Sequence, residues 1–164
     1  MVKLMPYRYA RQAQRQLLRQ QQNVHAPAPM RCPYPPRPSG VQHNTRQIGA
    51  YYETLAARFL RTQQHDILAR QLHYPQGEID VLAFSAPFLV VVEVRYRQRA
   101  DYGGVHYSLS PAKTRRLQRL AQRAWQDYAP LLTVEGCGDL WLRIDVILFD
   151  RQHLHWLPGA IAYE

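Results

Sequence analysis

The stretch Gly77 to Arg97 reads GEIDVLAFSAPFLVVVEVRYR, and how it pairs with itself decides the fold. Val81–Phe84 and Phe88–Val92 are apolar enough for buried strands, yet Glu78, Asp80, Glu93 and Arg95 stand inside or beside them. Residues 77–84 and 88–96 form two strands of a hairpin that turns about Ala86-Pro87. Proline is awkward as the second central residue of a tight turn, so a four-residue loop over 85–88 is expected. Paired positions then sum to 173. This register sets Asp80 opposite Glu93, with Cβ atoms about 4.5–5.5 Å apart on one face. Arg95, two residues beyond Glu93, shares that face. Val90, Val92, Val94, Val81 and Ala83 take the other face, which is plain core. Two facing carboxylates repel. A hard dication relieves the repulsion, because Mg²⁺ favours one or two carboxylates together with waters and phosphate oxygens. An Asp80–Arg95 or Glu93–Arg95 ion pair at a sheet edge relieves it as well, and the spacing alone leaves both open.

Outward from the hairpin, the elements alternate in kind. Ile48, Tyr52, Leu55, Ala56, Phe59 and Leu60 recur at helical spacing, with Glu53 on the flank of the stripe. Residues 67–74 read as a strand before the hairpin. Ser110-Pro111 opens a second helix, with serine as N-cap and proline at the first helical position. Leu117, Leu120, Ala121, Ala124 and Tyr128 form its apolar face. WLRIDVILF, 141–149, is a fourth strand and HLHWL, 153–157, a short fifth. The order α-β-β-β-α-β-β predicts an α/β fold, a mixed sheet flanked by helices.

The 164 residues suit one domain with an appendage. The net charge of +9 is uneven: residues 1–52 hold eight Lys/Arg and no acid, while 53–164 hold thirteen against twelve. Six prolines between 27 and 38 exclude helix or central strand there and predict an extended linker. The division therefore falls into a basic, Pro-rich, disordered leader and linker over 1–44 and a folded domain over 45–164. Arg8, Arg11, Arg15 and Arg19 recur at helical spacing in that leader, which reads as a solvated tail or as a nucleic-acid arm of sequence-blind affinity. The start has no apolar core of a secretory signal, and its Gln-rich, Ser-poor character argues against a transit peptide. No apolar run approaches a membrane span of about 18 residues. Cys32 and Cys137 are too few for a disulfide scaffold and read as free thiols of a cytoplasmic protein.

GEID followed after twelve residues by EVRYR resembles the metal-site signature of PD-(D/E)xK nucleases. More closely, the chain resembles the YraN-like family of uncharacterised proteins. The resemblance is carried by Gly49 with Glu53-Thr54-Leu55-Ala56-Ala57, by Gly77-Glu78-Ile79-Asp80 and by Val92-Glu93-Val94-Arg95-Tyr96-Arg97. It continues in Tyr102-Gly103-Gly104, Lys113 and Arg143-Ile144-Asp145-Val146, and so spans roughly 46–160. Six signals in order are far more specific than any one alone. The leader over 1–44 looks unlike the family. The resemblance implies a restriction-endonuclease-like fold, as in Holliday-junction resolvases. It implies structured or branched DNA as substrate, phosphodiester hydrolysis as reaction and Mg²⁺ or Mn²⁺ as cofactor. It makes Asp80 and Glu93 metal ligands, and Glu53 a third acid in or near the metal shell.

Arg95 occupies the motif's usual lysine position, and Gln71 stands where family members often carry asparagine. Arginine stays protonated at ordinary pH and cannot act as a general base, but it can grip the scissile phosphate with two parallel hydrogen bonds. The alternative to an endonuclease is a catalytically inactive nucleic-acid-binding member of the same fold. Arg95, Arg97, Arg99, Lys113 and Arg116 are the candidate phosphate-binding rim. Lys113, one turn before Leu117, leans toward the sheet. His106 is a candidate acid or base in the Tyr102-Gly103-Gly104 loop. Asp145 pairs Arg143 or Arg95 and is structural. His153 and His155, counted without a neighbouring acid, read as exposed strand histidines. A homodimer stays open.

Overall fold

A computed structural model describes residues 30–31, 45–97, 109–132, 139–150 and 153–161. Along the chain these form β1 (Met30–Arg31), α1 (Thr45–Thr62), β2 (Asp66–Tyr74), β3 (Gly77–Ser85) and β4 (Phe88–Tyr96). After them come α2 (Pro111–Tyr128), a 3-10 turn (Ala129–Leu131), β5 (Trp141–Phe149) and β6 (His153–Ile161). The six strands make one sheet in the order β1-β6-β5-β4-β3-β2. Among the described residues only β4 and β5 run parallel; the other pairs are antiparallel. A parallel neighbour needs a crossover, and α2 supplies it. This is the mixed sheet flanked by helices that the restriction-endonuclease-like resemblance implies.

Each face of the sheet is sealed by one helix. Tyr52, Leu55, Ala56, Phe59 and Leu60 of α1 pack on Val81, Ala83, Val90, Val92, Ile147 and Phe149. Leu117, Leu120, Ala121 and Ala124 of α2 pack on Ile79, Leu82, Leu89, Val91 and Ile144. Burying one such aliphatic side chain is worth about 1.5–3 kcal/mol, so these two layers carry the stability. The central strands are apolar on both faces, as strands covered on both sides must be.

The hairpin register is as expected: Val81 pairs Val92, Leu82 pairs Val91 and Ser85 pairs Phe88, each pair summing to 173. The expected loop over 85–88 is instead a tight turn, since Ser85 and Phe88 already belong to the ladder. The Ala86-Pro87 peptide is cis, the form in which proline takes the second central position of a turn.

The strand expected over 153–157 runs on to Ile161. Its register slips between Leu157, opposite Val146, and Ile161, opposite Ile144. Gly159, at φ 61°, absorbs the extra residues and donates its N–H to Asp145 Oδ1 at 2.9 Å rather than to the ladder. From the leader, Met30 and Arg31 pair Leu154 and His153 at the sheet edge. The boundary read at residue 45 leaves this short strand on the leader side. The rest of the leader lies outside the described residues.

Candidate functional site

The site forms where β3 loses both neighbours. Its ladder to β4 ends at Val81–Val92, one pair short of Asp80 and Glu93. Its ladder to β2 joins Arg70 to Val81 and Leu72 to Ile79, and passes over Gln71 and Asp80 between them. Gln71 sits in the left-handed region at φ 48°, which costs a non-glycine residue about 1–2 kcal/mol. The kink exchanges faces. Arg70 reaches α1 and donates from Nη2 to Thr54 Oγ1 at 2.8 Å, whereas Leu72 packs beneath α2. Likewise Val81 belongs to the α1 layer and Ile79 to the α2 layer. Residues two apart in a regular strand would share a face. Asp80 is thus released from the pleat and enters the gap between the strands. There its Oδ2 accepts the Val94 N–H at 2.7 Å.

Three elements aim side chains into this gap. From β4 comes Glu93, 5% exposed. From α1 comes Glu53, seated because Tyr52 stacks on Tyr96 at 4.2 Å between centroids and held by Gln71, whose Nε2 donates to Glu53 Oε2 at 3.0 Å. From α2 comes Lys113. Ser110 caps that helix by accepting the Lys113 N–H at 3.3 Å, and the cap sets the first turn so that Lys113 Nζ donates to Glu93 Oε1. The same oxygen takes Arg95 Nε at 2.9 Å.

Charge is therefore shared unequally. Glu93 carries two cations on one oxygen, while among the described residues Asp80 accepts the Val94 N–H. Desolvation first, and the Glu93 charge second, push the Asp80 carboxyl up to about 7 against the pull of that N–H. Desolvation also raises Glu53, and the Gln71 amide works against it. Burial thus disfavours the charged form of both Asp80 and Glu53.

These donors fit a hard dication. Asp80 is partly buried, and Glu93 receives both Lys113 and Arg95 at Oε1. Among the described residues Glu53, Asp80 and Glu93 do not all bring oxygens within 4.8 Å of one another. The two strand carboxylates would hold the ion directly, and Glu53 would act from the next layer out. Mg²⁺ needs no more than two carboxylates when waters complete its octahedron.

The remaining expected residues divide. Arg95 and Lys113 join Glu93 as described. Arg97 is exposed at the end of β4. Arg116 lies along Gly77, where a Cβ would meet Arg116 Nε at 3.4 Å and φ is +143°, so the glycine of GEID lets the sheet pass beneath α2. Arg99, the Tyr102-Gly103-Gly104 loop and His106 lie outside the described residues. Asp145 does pair Arg143, not Arg95: Arg143 Nε and Nη2 donate to its two oxygens at 2.8 and 2.9 Å. Trp156 Nε1 and the Gly159 N–H complete its shell. Arg143 lies over Phe88 at 4.9 Å and donates from Nη2 to His65 Nε2 at 3.2 Å. Burial, and behind it Arg143, lowers the His65 pKa. This buried hub ties β5 to β6 on the face away from Glu93. Two contributors escaped the sequence reading: Gln71, noted only as a departure, and Lys113 as a partner of Glu93 rather than of phosphate. Ser110-Pro111 was the signal for the latter, since it fixes which way the first turn of α2 points.

The model of the uncharacterised protein family UPF0102 matches residues 52–149, from the neighbour of Glu53 to the end of β5. A UPF0102 protein of Bordetella petrii is 36% identical over 169 residues, covering 95% of this chain and 94% of its own length. That match reaches well into the leader. A UPF0102 protein of Shewanella woodyi is 33% identical over 115 residues, 70% of this chain and 92% of its own. One of Coxiella burnetii is 34% identical over 122 residues, 73% of this chain and 96% of its own. Among the described residues no helix is long and apolar enough to cross a membrane.

Proposed function

The chain belongs to the uncharacterised protein family UPF0102, the YraN-like family its motifs resemble, and from that premise we propose a metal-dependent endonuclease that hydrolyses phosphodiester bonds in structured or branched DNA. One observation carries the reading: a kink frees Asp80 from its strand and leaves its buried carboxyl beside Glu93, whose charge raises it. A fold that only needed a stable sheet would place an apolar residue there. Bound between Asp80 and Glu93, Mg²⁺ or Mn²⁺ would supply Lewis-acid activation of water and charge stabilisation on the phosphate.

The chain's own groups complete the chemistry. Arg95 and Lys113 stand at one carboxylate oxygen, so a phosphate entering beside Glu93 meets both. Arg95 offers a planar fork of donors to the phosphate oxygens. Lys113, a compact ammonium with three rotatable donors, is the group suited to orient the attacking water. The N-terminus of α2 adds its partial positive charge to the same place. Arg97 at the strand end and Arg116 across Gly77 extend the positive surface along the DNA backbone.

The second reading, a binding protein without catalysis, is favoured by one feature: Lys113 and Arg95 both pair with Glu93. Cleavage of duplex, flap, fork and four-way-junction DNA in Mg²⁺ and Mn²⁺ separates the two. An endonuclease cuts at least one of these, loses activity in Asp80→Asn and retains it in Arg95→Lys. Lys113→Ala should then fall by about 10²–10³ in rate, the cost of one donor to developing charge. No cutting by the wild type in either metal, with retained DNA affinity, overturns the endonuclease and leaves the binding protein.

A further inference from the structure

The turn between β5 and β6 carries a second group of ligand-type side chains. Asp150, His153 and His155 each offer one ligand atom, and these atoms all lie within 4.8 Å of one another. His155 Nε2 is 3.0 Å from Asp150 Oδ2 and His153 Nδ1 is 3.5 Å from Asp150 Oδ1. Reading the histidines without a neighbouring acid overlooked Asp150, three residues before His153. We propose that Asp150, His153 and His155 form a site for a borderline divalent transition ion of the zinc class, separate from the Asp80–Glu93 gap.

The backbone preorganises it. The Asp150 N–H donates to the His153 carbonyl at 3.0 Å, and the His153 N–H donates to Asp150 Oδ1 at 2.6 Å. Asp150 and His153 are thereby locked to each other. His155 follows two residues later in the strand, so both imidazoles project to the same face. Leu154, between them, is buried in the α1 layer and fixes that alternation. Two imidazoles and one carboxylate suit zinc, cobalt or nickel, and are too nitrogen-rich for the Mg²⁺ that suits Asp80 and Glu93. Three protein ligands leave a fourth position open, and the His153 side chain, 40% exposed, leaves a path to it.

Its position gives that open place a use. His155 pairs Leu148 and Leu148 pairs Arg95, so the three share one face. Two strand spacings put His155 roughly 10 Å from Arg95. An ion at this turn would extend the cationic row of Arg95 and Lys113 and take an oxygen ligand such as a phosphate. The residues lie just beyond the 52–149 span of the family model. The proposal does not depend on nuclease activity.

Co²⁺ is the probe, read by visible absorption and by calorimetric titration of the full chain. The titrations use the Asp80→Asn background, which removes the other candidate ion site, and one equivalent should bind there. Affinity should fall at least about tenfold in His155→Gln and in Asp150→Asn, and in the His153→Gln variant at an exposed position where folding is not at stake. Circular dichroism at equal concentration confirms that each variant is folded. No saturable binding by the wild type overturns the proposal. So does binding that survives when His153→Gln/His155→Gln is combined with Asp80→Asn, or that is absent in Asp80→Asn alone.

Discussion

Replacing Asp80 by asparagine should stabilise the metal-free protein, by more as the pH rises. Desolvation and Glu93 move the Asp80 carboxyl from its ordinary 3.8 up to about 7. The folded chain therefore keeps this proton between about pH 4 and pH 7, where the unfolded chain has lost it. When the folded state binds more protons, stability falls as pH rises through that window and stays lower above it. Each tenfold change in an ionisation constant is about 1.4 kcal/mol, so a little over three decades amounts to up to about 4 kcal/mol at pH 8. Asparagine keeps an oxygen for the Val94 N–H and carries no charge, so it escapes this loss. At pH 5 the advantage should be only about 1–2 kcal/mol by the same arithmetic. For a chain of this size about 3 °C accompanies each kcal/mol, so the gap in Tm should widen toward roughly 10 °C at pH 8. Thermal unfolding of both proteins at pH 5, 6.5 and 8 in chelator measures it. Mg²⁺ or Mn²⁺ should then raise the wild type and leave Asp80→Asn unmoved, because binding to the native state alone stabilises by mass action. A gap that does not change with pH, or a wild type more stable than Asp80→Asn at pH 8 in chelator, refutes the reasoning.

Gln71 offers a test in which the ordinary rule reverses. In a regular strand valine is preferred to glycine by up to about 1 kcal/mol, but at φ 48° Gln71→Val should cost about 1–2 kcal/mol and Gln71→Gly little or nothing; denaturant midpoints with valine above glycine would show that the kink does not exist in solution. Asp145 receives four donors and is fully buried, so Asp145→Ala should cost about 3–5 kcal/mol by leaving Arg143 buried without a partner. The Arg143→Met/Asp145→Ala double variant should cost less than the two single changes together. Additive losses in urea melts would mean that the two side chains act independently.

What the sequence made legible is what short-range physics decides. The α1 stripe from Ile48 to Leu60, the Ser110-Pro111 start of α2 and the hairpin register about Ala86-Pro87 each follow from residues a few positions apart, and each stands in the structure. The gap at Asp80 does not follow in this way. Its cause is a left-handed Gln71, and glutamine carries no mark of that conformation as glycine or asparagine would. Without the kink, Asp80 and Glu93 would be an ordinary cross-strand pair on one face, which is how alternation alone reads them. The Asp145 hub was equally hidden, because two of its donors come from β6 where the register slips past Pro158 and Gly159. Asp150 with His153 and His155 was legible by spacing, but a strand reading weighs the histidines singly and passes over the turn before them.

Arg95 and Lys113 carry the same point into chemistry. A linear motif records which strand position holds a cation, and at that position this chain has arginine. The fold records something else: which point in space a cation reaches. Lys113 is twenty residues beyond Glu93 and on another element, yet its ammonium and the Arg95 guanidinium meet one carboxylate oxygen. The two side chains are unequal, since arginine brings paired donors in a planar fork while lysine brings a compact charge with three rotatable donors. A site with both has one group suited to hold a phosphate and another suited to orient a water. Arginine at the motif position therefore does not by itself decide against catalysis in this chain, because a lysine on α2 reaches the same carboxylate oxygen.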